Sequence, residues 1–352
     1  MKKILVWLSG WVDSAVAAYL LKEQWYEVVA GFMKNYIDEE NPNCSTYQDA
    51  KEAIKVAEFL WLEIISFDLR KEYEEKIIKY IYEWYEKWIT PNPDILCNNL
   101  IKFDVFLEKA LELWFDWIAM WHYARIREWK VKSLKWKEYR LLRWIDYNKD
   151  QSYFLSGLNQ YQLSKALFPI GWMKKDEVRD LAKKIWLPNA DRKDSQWLCF
   201  IGKVPMKEFL KKRLPIKKWD ILLIDWTKVG EHEWAYFFTI WQSRWLDINK
   251  KAYVVNIDVK KNLVIVSYDK NETELNTKEI KVKNRHWIWK EYNLPLECKS
   301  KIRYRQEPNK CRIQSSELWI KFLYEKEQWW IAPGQSLVAY IWDECIWGGI
   351  II

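Results

Sequence analysis

The feature that most constrains the fold is the alternation of strand-like and helix-like segments over the first 200 residues. Strand-like runs rich in β-branched and aromatic residues are KILVWL, YEVVAGFM, LEIISFDL and DWIAMWHYA. Amphipathic stretches with helical periodicity lie between them, for example VDSAVAAYLLKEQ and TYQDAKEAIKVAEFL. Strands that alternate with helices form parallel sheets with right-handed crossovers. The first half therefore predicts a Rossmann-like α/β fold, which binds ligands at the carboxyl ends of its strands.

The texture of the sequence changes after about residue 203. One more predicted helix, VPMKEFLKKRL, is followed by the strand-like segments AYVVNIDVKKNLVIVSYD, KIRYRQ, KCRIQSS, WIKFLYE and SLVAYIW. The polar stretch KNETELNTKE, near residue 275, separates these strands into two groups. We therefore expect three domains: an α/β domain over residues 1–203, a small β-rich domain over 204–275 and a second over 276–352.

Composition excludes several classes of protein. No run of about 18 uncharged apolar residues is present, so we expect no membrane span, and MKKILVWLSG is better read as a first strand than as a signal peptide. The net charge of +8 suits a polyanionic partner without requiring one. Six well-separated cysteines without a CxxC pair argue against a zinc site or a disulfide framework and favour a cytoplasmic protein with one or two reactive thiols. They are Cys44, Cys97, Cys199, Cys298, Cys311 and Cys345.

The tryptophan and glycine counts are abnormal. The chain has 27 tryptophans and 9 glycines, whereas ordinary usage predicts roughly 25 glycines. Tryptophan also stands where turns favour glycine, as in SGWVDS, FTIWQSRWL and CIWGGI. We hypothesise that many of these codons are UGA and are read as glycine in the source organism; the alternative is a truly tryptophan-rich protein. The positions in question include Trp7, Trp11, Trp121, Trp197 and Trp347.

The first candidate for chemistry is the segment SGWVDS, from Ser9 to Ser14, between the first strand and the first helix. With glycine at position 11 it becomes SGGVDS, a small turn whose backbone amides can face a phosphate at a helix N-terminus. Asp13 is then a natural ligand for Mg²⁺ on the phosphates. A tryptophan at position 11 would fill the phosphate site, and we expect it to oppose a positive φ. The alternative is an ordinary βα turn capped by Asp13.

SGGVDS resembles the pyrophosphate loop of ATPases that adenylate their substrates. Six further motifs follow: TPNPDILCN (90–98), WHYAR (121–125), KDQSYFL (149–155), FPIG (168–171), KDSQWLCFIG (193–202) and APGQSLV (332–338). With glycine at 121 and 197, their order and spacing resemble the bacterial tRNA-specific 2-thiouridylases from Lys3 to Ile352. The resemblance implies an ATPase domain followed by two small β-rich domains, the last of them a β-barrel that contacts tRNA.

Two cysteines lie in polar, turn-rich segments that suit a reactive thiol. Cys97 follows the rigid TPNPD turn, three residues after Asp94, and Cys199 lies in DSQWLCF. From the residues alone, buried structural thiols are an open alternative. The resemblance implies that Cys199 carries a persulfide, that Cys97 is the second catalytic thiol and forms a disulfide with it, and that Asp94 is the acid or base. The other four cysteines are interpreted as structural.

The resemblance further implies that ATP and Mg²⁺ activate the C2 oxygen of the wobble uridine of tRNA, and that a sulfur-carrier protein or cysteine desulfurase supplies the sulfur. The implied ATP contacts are Trp7, Leu8, Ser9, Gly10, Trp11, Val12, Asp13, Ser14, Met33 and Trp121. The implied contacts with the target base are Asn92, Pro93 and Asp94, and those with the rest of the tRNA are His122, Lys149, Asp150, Gln151, Arg303, Tyr304 and Gln335. No metal site built from protein ligands alone is expected. Read without the resemblance, His122 could be a core histidine and RYRQ an exposed strand.

Two other functions are compatible with parts of the sequence. Another adenylating synthetase, acting on a small metabolite, would keep the phosphate loop but would not need two distant thiols. A non-catalytic RNA-binding protein would use only the β-rich half. Two experiments distinguish these functions. A Cys199→Ser variant that loses sulfur transfer would argue against the synthetase. Exchange of pyrophosphate into ATP that depends on Asp13 would argue against the RNA-binding protein.

Overall fold

A computed structural model describes most of the chain. The described residues are 1–37, 45–87, 89–130, 137–193, 206–214, 218–240, 242–243, 246, 248–258, 261–269, 277–316, 319–329 and 331–352. Cys44, Trp197 and Cys199 lie outside these ranges.

Strands occur throughout the described chain. They are β1 (Lys3–Trp7), β2 (Glu27–Lys34), β3 (Ile64–Asp68), β4 (Trp117–Ala119), β5 (Arg125–Lys130), β6 (Lys137–Leu142), β7 (Ala166–Leu167), β8 (Trp219–Leu223), β9 (Lys228–His232), β10 (Tyr253–Asp258), β11 (Leu263–Ser267), β12 (Thr277–Trp287), β13 (Leu296–Lys301), β14 (Asn309–Ser315), β15 (Ile320–Gln328), β16 (Ser336–Ile341) and β17 (Glu344–Ile351).

Helices are concentrated in the first 211 residues. They are α1 (Val12–Glu23), α2 (Ser45–Phe59), α3 (Arg70–Tyr73), α4 (Lys79–Glu86), α5 (Pro93–Cys97), α6 (Phe106–Glu112), α7 (Gln160–Ser164), α8 (Lys175–Lys184) and α9 (Met206–Lys211). The π-helical segments Glu74–Ile78 and Asn98–Val105 make residues 70–86 and 93–112 continuously helical. Short 3₁₀ turns lie at Tyr147–Lys149, Ser152–Leu155 and Ala235–Phe237. Within the described ranges, no helix has both the length and the apolar character to cross a bilayer.

The first unit is built on a parallel sheet, which confirms the predicted α/β fold. Its strand order is β3-β2-β1-β4-β7, and every neighbouring pair is parallel. Helix α1 packs against β1, β2 and α8. Its alanines, including Ala15 and Ala18, are fully buried, and such small side chains allow close packing against the strands. The connection from β1 to α1 therefore lies at the carboxyl edge of the sheet, where parallel sheets bind ligands.

The remaining strands form two further β units, also as predicted. The central sheet has the order β10-β11-β8-β9. The C-terminal strands run β12-β15-β14-β13-β16-β17, and pairing between β12 and β17 closes them into a six-stranded barrel. The hairpin β5–β6 extends this barrel, since Leu142 pairs with Glu344 of β17. The hairpin thus ties the first unit to the last.

Two strand predictions were too long. The segment predicted to run from DWIA to HYA forms only the short strand β4, which ends at Ala119. Strand β13 ends at Lys301, so Arg303 and Tyr304 lie in a turn and not on a strand. In that turn the Gln306 side chain accepts a hydrogen bond from the Ile302 N–H at 2.9 Å. The Gln306 N–H donates to the Arg303 carbonyl at 3.2 Å, and these bonds take the place of strand pairing.

Tryptophan occupies backbone positions that favour glycine. Seven described non-glycine residues have positive φ; one is Asn262 and six are tryptophans, namely Trp25, Trp61, Trp114, Trp186, Trp226 and Trp342, with φ from 54° to 68°. At Trp61 the N–H donates to the Glu58 carbonyl at 3.1 Å, and the next N–H, of Leu62, donates to Ala57 at 2.9 Å. This is the helix ending that glycine usually makes.

Candidate active site

The loop after β1 places backbone amides at the head of α1. Gly10 has φ +79°, and a Cβ atom there would lie 2.4 Å from the Asp49 carbonyl oxygen. Ser9 donates its N–H (3.2 Å) and its hydroxyl (3.1 Å) to Ser14 Oγ. The Ser14 hydroxyl in turn donates to the Trp11 carbonyl at 2.8 Å. The two serines close the turn and leave the start of α1 open to an anion.

The conformational objection to Trp11 was wrong. Its φ is −94°, an ordinary value for any residue, and the positive φ falls on Gly10 instead. The remaining objection is steric, because the indole lies under the Arg192 guanidinium at 3.7 Å and lines the cavity described below. Position 11 therefore matters for the space it fills and not for its backbone.

The loop after β1 is fixed by hydrogen bonds to the carbonyl group of Gly10. Gly10 O accepts hydrogen bonds from Asn189 Nδ2 (2.9 Å) and Arg192 Nη1 (3.0 Å). Arg192 also pairs with Asp49 of α2 through Nη2, at 2.5 Å. Because the carbonyl points toward these donors, the amides that follow it are free to face the cavity.

Asp13, in the first turn of α1, has two partners in the site. It accepts from Lys175 Nζ at 2.7 and 2.8 Å and from the Tyr123 hydroxyl at 2.9 Å. Lys175 is the first residue of α8, and its side chain is 11% exposed. The pair gives the predicted phosphate loop, Ser9 to Ser14, both a carboxylate suited to a cation and an ammonium group suited to a phosphate.

One cavity of about 980 Å³ joins the phosphate loop to the predicted thiol. On the loop side its wall includes Trp7, Ser9, Trp11, Val12, Asp13 and Met33. The wall also includes Asp94, Cys97, Trp121, His122, Lys149, Gln151 and Tyr304. Of the other predicted residues, Leu8 is in the core, Ser14 is fully buried and Asn92, Pro93 and Arg303 are half-buried.

Indole rings fill part of this cavity. The ring centroids of Trp7 and Trp121 are 4.0 Å apart, and Lys102 Nζ lies 4.8 Å from the centre of the Trp7 ring. Trp7 ends β1 and Trp121 follows β4, so both lie at the edge of the sheet where ligands bind. With glycine at both positions, the same backbone would enclose a larger space.

Cys97 and Asp94 lie one turn apart on α5. Pro93 takes the first helical position, which suits its fixed φ, and Asn92 precedes it as the N-cap. Cys97 is 3% exposed and lies at the cavity wall. Asp94 is half-buried, and loss of solvent raises its carboxyl pKa, while the positive charge of Lys102 opposes the rise. A carboxyl group with a raised pKa is a stronger base than an ordinary aspartate and is suited to accept a proton.

His122 is a buried, neutral histidine beside Asn98. The Asn98 amide donates to the Phe154 carbonyl at 2.9 Å, so its oxygen faces His122 Nε2, at 3.2 Å. Nε2 must therefore carry the proton, and Nδ1 is left as an acceptor without a partner. Burial lowers the His122 pKa well below its usual value, and Lys102 lowers it further. The ring offers the cavity an acceptor and no charge.

The residues expected to contact tRNA fall into two groups. Lys149, Gln151 and Tyr304 line the cavity with His122. Asp150 is instead 1% exposed, between Arg143 Nε (2.9 Å) and Lys301 Nζ (3.6 Å).

Gln335 also makes an internal contact. Its Nε2 donates to the carbonyls of Thr90 (2.9 Å) and Pro91 (3.3 Å), which joins the barrel to the TPNPD turn. In this structure the side chains of Asp150 and Gln335 therefore connect parts of the protein, and their contact with tRNA stays a prediction.

Sequence reasoning missed four polar residues that shape the site: Asn35, Lys102, Lys175 and Arg192. Lys102 lies in the π-helical segment Asn98–Val105 and is 5% exposed. Lysine is rarely buried to this extent. A lysine in the mainly apolar stretch LIKFDVF was the available signal. Lys175 and Arg192 stand in ordinary charged segments that give no such signal. The expected second thiol, Cys199, lies outside the described residues.

Three family models match the chain in succession. The tRNA methyl transferase HUP domain matches residues 2–203. The tRNA methyl transferase PRC-barrel domain matches residues 207–268. The aminomethyltransferase beta-barrel domain matches residues 277–351.

Curated relatives align with the chain over nearly its whole length. The tRNA-specific 2-thiouridylase MnmA of Buchnera aphidicola is 42% identical over 361 residues, which cover 99% of this chain and 96% of the relative. The protein of the same name from Karelsulcia muelleri is 40% identical over 382 residues, with coverage of 99% and 98%. That from Shouchella clausii is 38% identical over 355 residues, with coverage of 99% and 96%.

Solved structures show more distant similarity. The U34-tRNA thiolase NcsA from Methanococcus maripaludis superposes with a TM-score of 0.37 at 18% identity, over 60% of this chain and 62% of that one. The NMN synthetase from Francisella tularensis gives a TM-score of 0.34 at 16% identity, over 57% and 68%.

Proposed function

The chain belongs to the family of tRNA-specific 2-thiouridylases, and we propose that it uses ATP to replace the C2 oxygen of the wobble uridine of tRNA with sulfur. The full-length similarity to relatives of that name supports the assignment. The observation that carries it is geometric: the phosphate loop, Asp94 and Cys97 border one cavity. A metabolite synthetase needs the loop, but it gives no reason for a thiol and a carboxyl group in the same cavity.

ATP would bind with its phosphates on the amides that follow Gly10 and its nucleoside toward Met33. The positive end of α1 and the ammonium group of Lys175 favour the polyphosphate. Asp13 and the phosphate oxygens would hold Mg²⁺, since carboxylate and phosphate oxygens are the ligands this ion prefers. Mg²⁺ would neutralise charge on the leaving pyrophosphate.

ATP can enter the cavity only if glycine replaces the tryptophans whose rings fill part of it. Trp7 and Trp121 occupy the space beside Met33, and Trp11 stands at the phosphate loop. We therefore propose that the active protein is the glycine-decoded chain, that is, the product of the gene with every UGA codon translated as glycine. In that form the phosphate loop reads SGGVDS.

The proposed reaction has three bond exchanges. The uridine C2 oxygen attacks the α-phosphorus, and pyrophosphate leaves. The outer sulfur of a persulfide on Cys199 then attacks C2, and AMP leaves with the original oxygen. Finally the Cys97 thiolate attacks the inner sulfur of Cys199, which forms a Cys97–Cys199 disulfide and releases the 2-thiouridine. A reductant must then reopen the disulfide, and a sulfur-carrier protein or cysteine desulfurase must restore the persulfide.

In this scheme Asp94 accepts and donates the protons. Its raised pKa and its position one turn from Cys97 suit it to accept the Cys97 proton before the thiolate attacks. The buried Lys102 lies close enough to oppose the rise in the Asp94 pKa, and it favours anions in the same space. Asn92 and Pro93, which begin α5, would contact the target base beside Asp94.

Recognition of tRNA would use the polar rim of the cavity together with the barrel. Lys149 can pair with a phosphate, and Tyr304 offers an aromatic ring near the cavity, on which an unstacked base can lie. Arg303, beside Tyr304 in the same turn, supplies a second cation. The net charge of +8 is consistent with a polyanionic partner.

The test separates the activation step from the sulfur step. The glycine-decoded chain, given unmodified tRNA and a persulfide donor, should release pyrophosphate and form 2-thiouridine. Cys199→Ser should still release pyrophosphate but form no 2-thiouridine, and Asp13→Asn should do neither. Thiolation that persists in Cys199→Ser would refute the proposed chemistry, and pyrophosphate release that needs a small metabolite and not tRNA would favour a synthetase.

A further inference from the structure

We propose that Asn35 recognises the adenine base of ATP, pairing its side-chain amide with the N6 amino group and a neighbouring ring nitrogen. The inference rests on the proposed use of ATP and deepens it, because it names the residue that makes the site specific for adenine.

Asn35 is a buried amide whose polar atoms have no partner. The residue is 2% exposed, and neither its Nδ2 nor its Oδ1 makes a hydrogen bond. It lines the same cavity as the phosphate loop and Met33. A buried amide with both groups unpaired is unfavourable and rare in folded proteins. A ligand that enters the cavity and satisfies both groups accounts for its presence.

The position of Asn35 in the sheet fits the nucleoside end of ATP. It directly follows β2, at the carboxyl edge of the sheet, and β2 pairs in parallel with β1, whose end leads into the phosphate loop. In sheets of this kind, the end of the strand beside the phosphate loop lies near the sugar and base. Trp7 and Trp121, the two positions that glycine would open, border this cavity too.

The chemistry of the amide matches adenine. An asparagine side chain presents an acceptor and a donor in one plane, and adenine presents an amino donor beside a ring-nitrogen acceptor. Neither group of Asn35 has to break an existing bond to reach the base. Two lysines that line the same cavity act on other groups: Lys175 pairs with Asp13, and Lys102 acts on the Asp94 carboxyl group.

The inference is tested by removing the N6 amino group from the nucleotide and the amide side chain from Asn35, separately and together. Binding of ATP and of purine riboside triphosphate, which lacks the N6 amino group, is measured by calorimetry with Mg²⁺ on the glycine-decoded chain and on Asn35→Ala. The parent should bind ATP more tightly, by about 5- to 150-fold, which is the range for a good bidentate contact. Asn35→Ala should lose most of this preference: it should weaken the binding of ATP more than that of purine riboside triphosphate, which keeps the ring nitrogen but lacks the N6 amino group.

Asn293→Ala is the matched control, because Asn293 is exposed and does not line the cavity; it should keep the parent's preference. Equal weakening of both nucleotides in Asn35→Ala would overturn the inference and indicate a packing role. Unchanged nucleotide binding with a raised KM for tRNA would also overturn it and assign Asn35 to the uridine. If the parent binds no ATP, the proposed function itself fails, which is a different result.

Discussion

At the scale of single residues, a positive φ angle is favourable for glycine and unfavourable for tryptophan, yet this chain repeatedly has tryptophan at positive φ. Six tryptophans have φ between 54° and 68°, where a Cβ atom is unfavourable. Five of the six are more than 80% exposed, so their rings gain little burial in return: Trp25, Trp61, Trp114, Trp186 and Trp342. The backbone thus supports the hypothesis, first drawn from composition, that such codons are read as glycine.

Substitution of one such residue tests this directly. Trp61→Gly, made in the tryptophan-containing chain, should raise the free energy of unfolding by about 1 kcal/mol, because it removes the strain of a left-handed Cβ residue. The measurement is urea denaturation. Trp129→Gly is the control: Trp129 is also partly exposed but lies in β5, where glycine should lower stability by roughly 0.5–1 kcal/mol. A loss of stability in Trp61→Gly would contradict the backbone argument.

Asp94 predicts a specific dependence of stability on pH. Its pKa is raised in the folded state, so the folded protein holds the proton more tightly, and stability falls as pH rises through the folded pKa. Asp94→Asn removes this penalty. The variant should therefore gain stability relative to the parent as pH rises above about 4, the usual pKa of aspartate, as measured by urea denaturation at each pH. Asp180→Asn, at an exposed position, should show much less change, and a relative loss at pH 7 in Asp94→Asn would refute the raised pKa.

At the scale of elements, much of the α/β unit could be predicted because its helices and strands follow local periodicity. The end of β13 could not, because it depends on the bond between Gln306 and the Ile302 N–H. Nor could the pairing of β6 with β17, which joins residues about 200 positions apart. In the site, local motifs identified Asp13, Asp94 and Cys97. Asn35 and Lys102 emerged only once the fold showed which side chains the cavity buries.

The conformation of the turn between β1 and α1 predicts that Gly10 cannot be replaced by alanine. Gly10→Ala would place a Cβ atom 2.4 Å from the Asp49 carbonyl at a φ of +79°. We expect it to lower stability by about 1–3 kcal/mol and to abolish ATP binding by the glycine-decoded chain. Gly157→Ala is the control, since its nearest neighbour would be 3.4 Å away; its stability should change by no more than about 0.5 kcal/mol. Normal ATP binding by Gly10→Ala would show that the loop does not hold the phosphates.

At the scale of the whole molecule, a buried ionic cluster fastens the barrel to the catalytic unit. Asp150 accepts from Arg143 Nε at 2.9 Å and from the backbone of Trp144 and Ser152 at 3.1 Å, and Lys301 of β13 lies 3.6 Å away. Burial lowers the pKa of Lys301, and the negative charge of Asp150 opposes this. The carboxylate is therefore what keeps two buried cations compatible with the fold.

Removal of that carboxylate should be costly. Asp150→Ala leaves Arg143 and Lys301 without their counter-charge, and we expect a loss of about 3–5 kcal/mol in the free energy of unfolding. Asp343→Ala breaks the more exposed pair with Arg125 and should cost only about 0–1 kcal/mol. Equal effects of the two variants, measured by urea denaturation, would show that the Asp150 cluster does not hold the units together.

The central claim is that this chain, with glycine in place of UGA-encoded tryptophan, thiolates tRNA through Cys97 and Cys199. The most direct test is expression of the glycine-decoded gene in a bacterial strain that lacks 2-thiouridine, followed by mass spectrometry of its tRNA nucleosides. The account predicts that 2-thiouridine reappears with the parent chain and is absent with Cys97→Ser or Cys199→Ser. A folded, ATP-binding product that restores no 2-thiouridine, or a Cys97→Ser variant that restores it fully, would contradict the account.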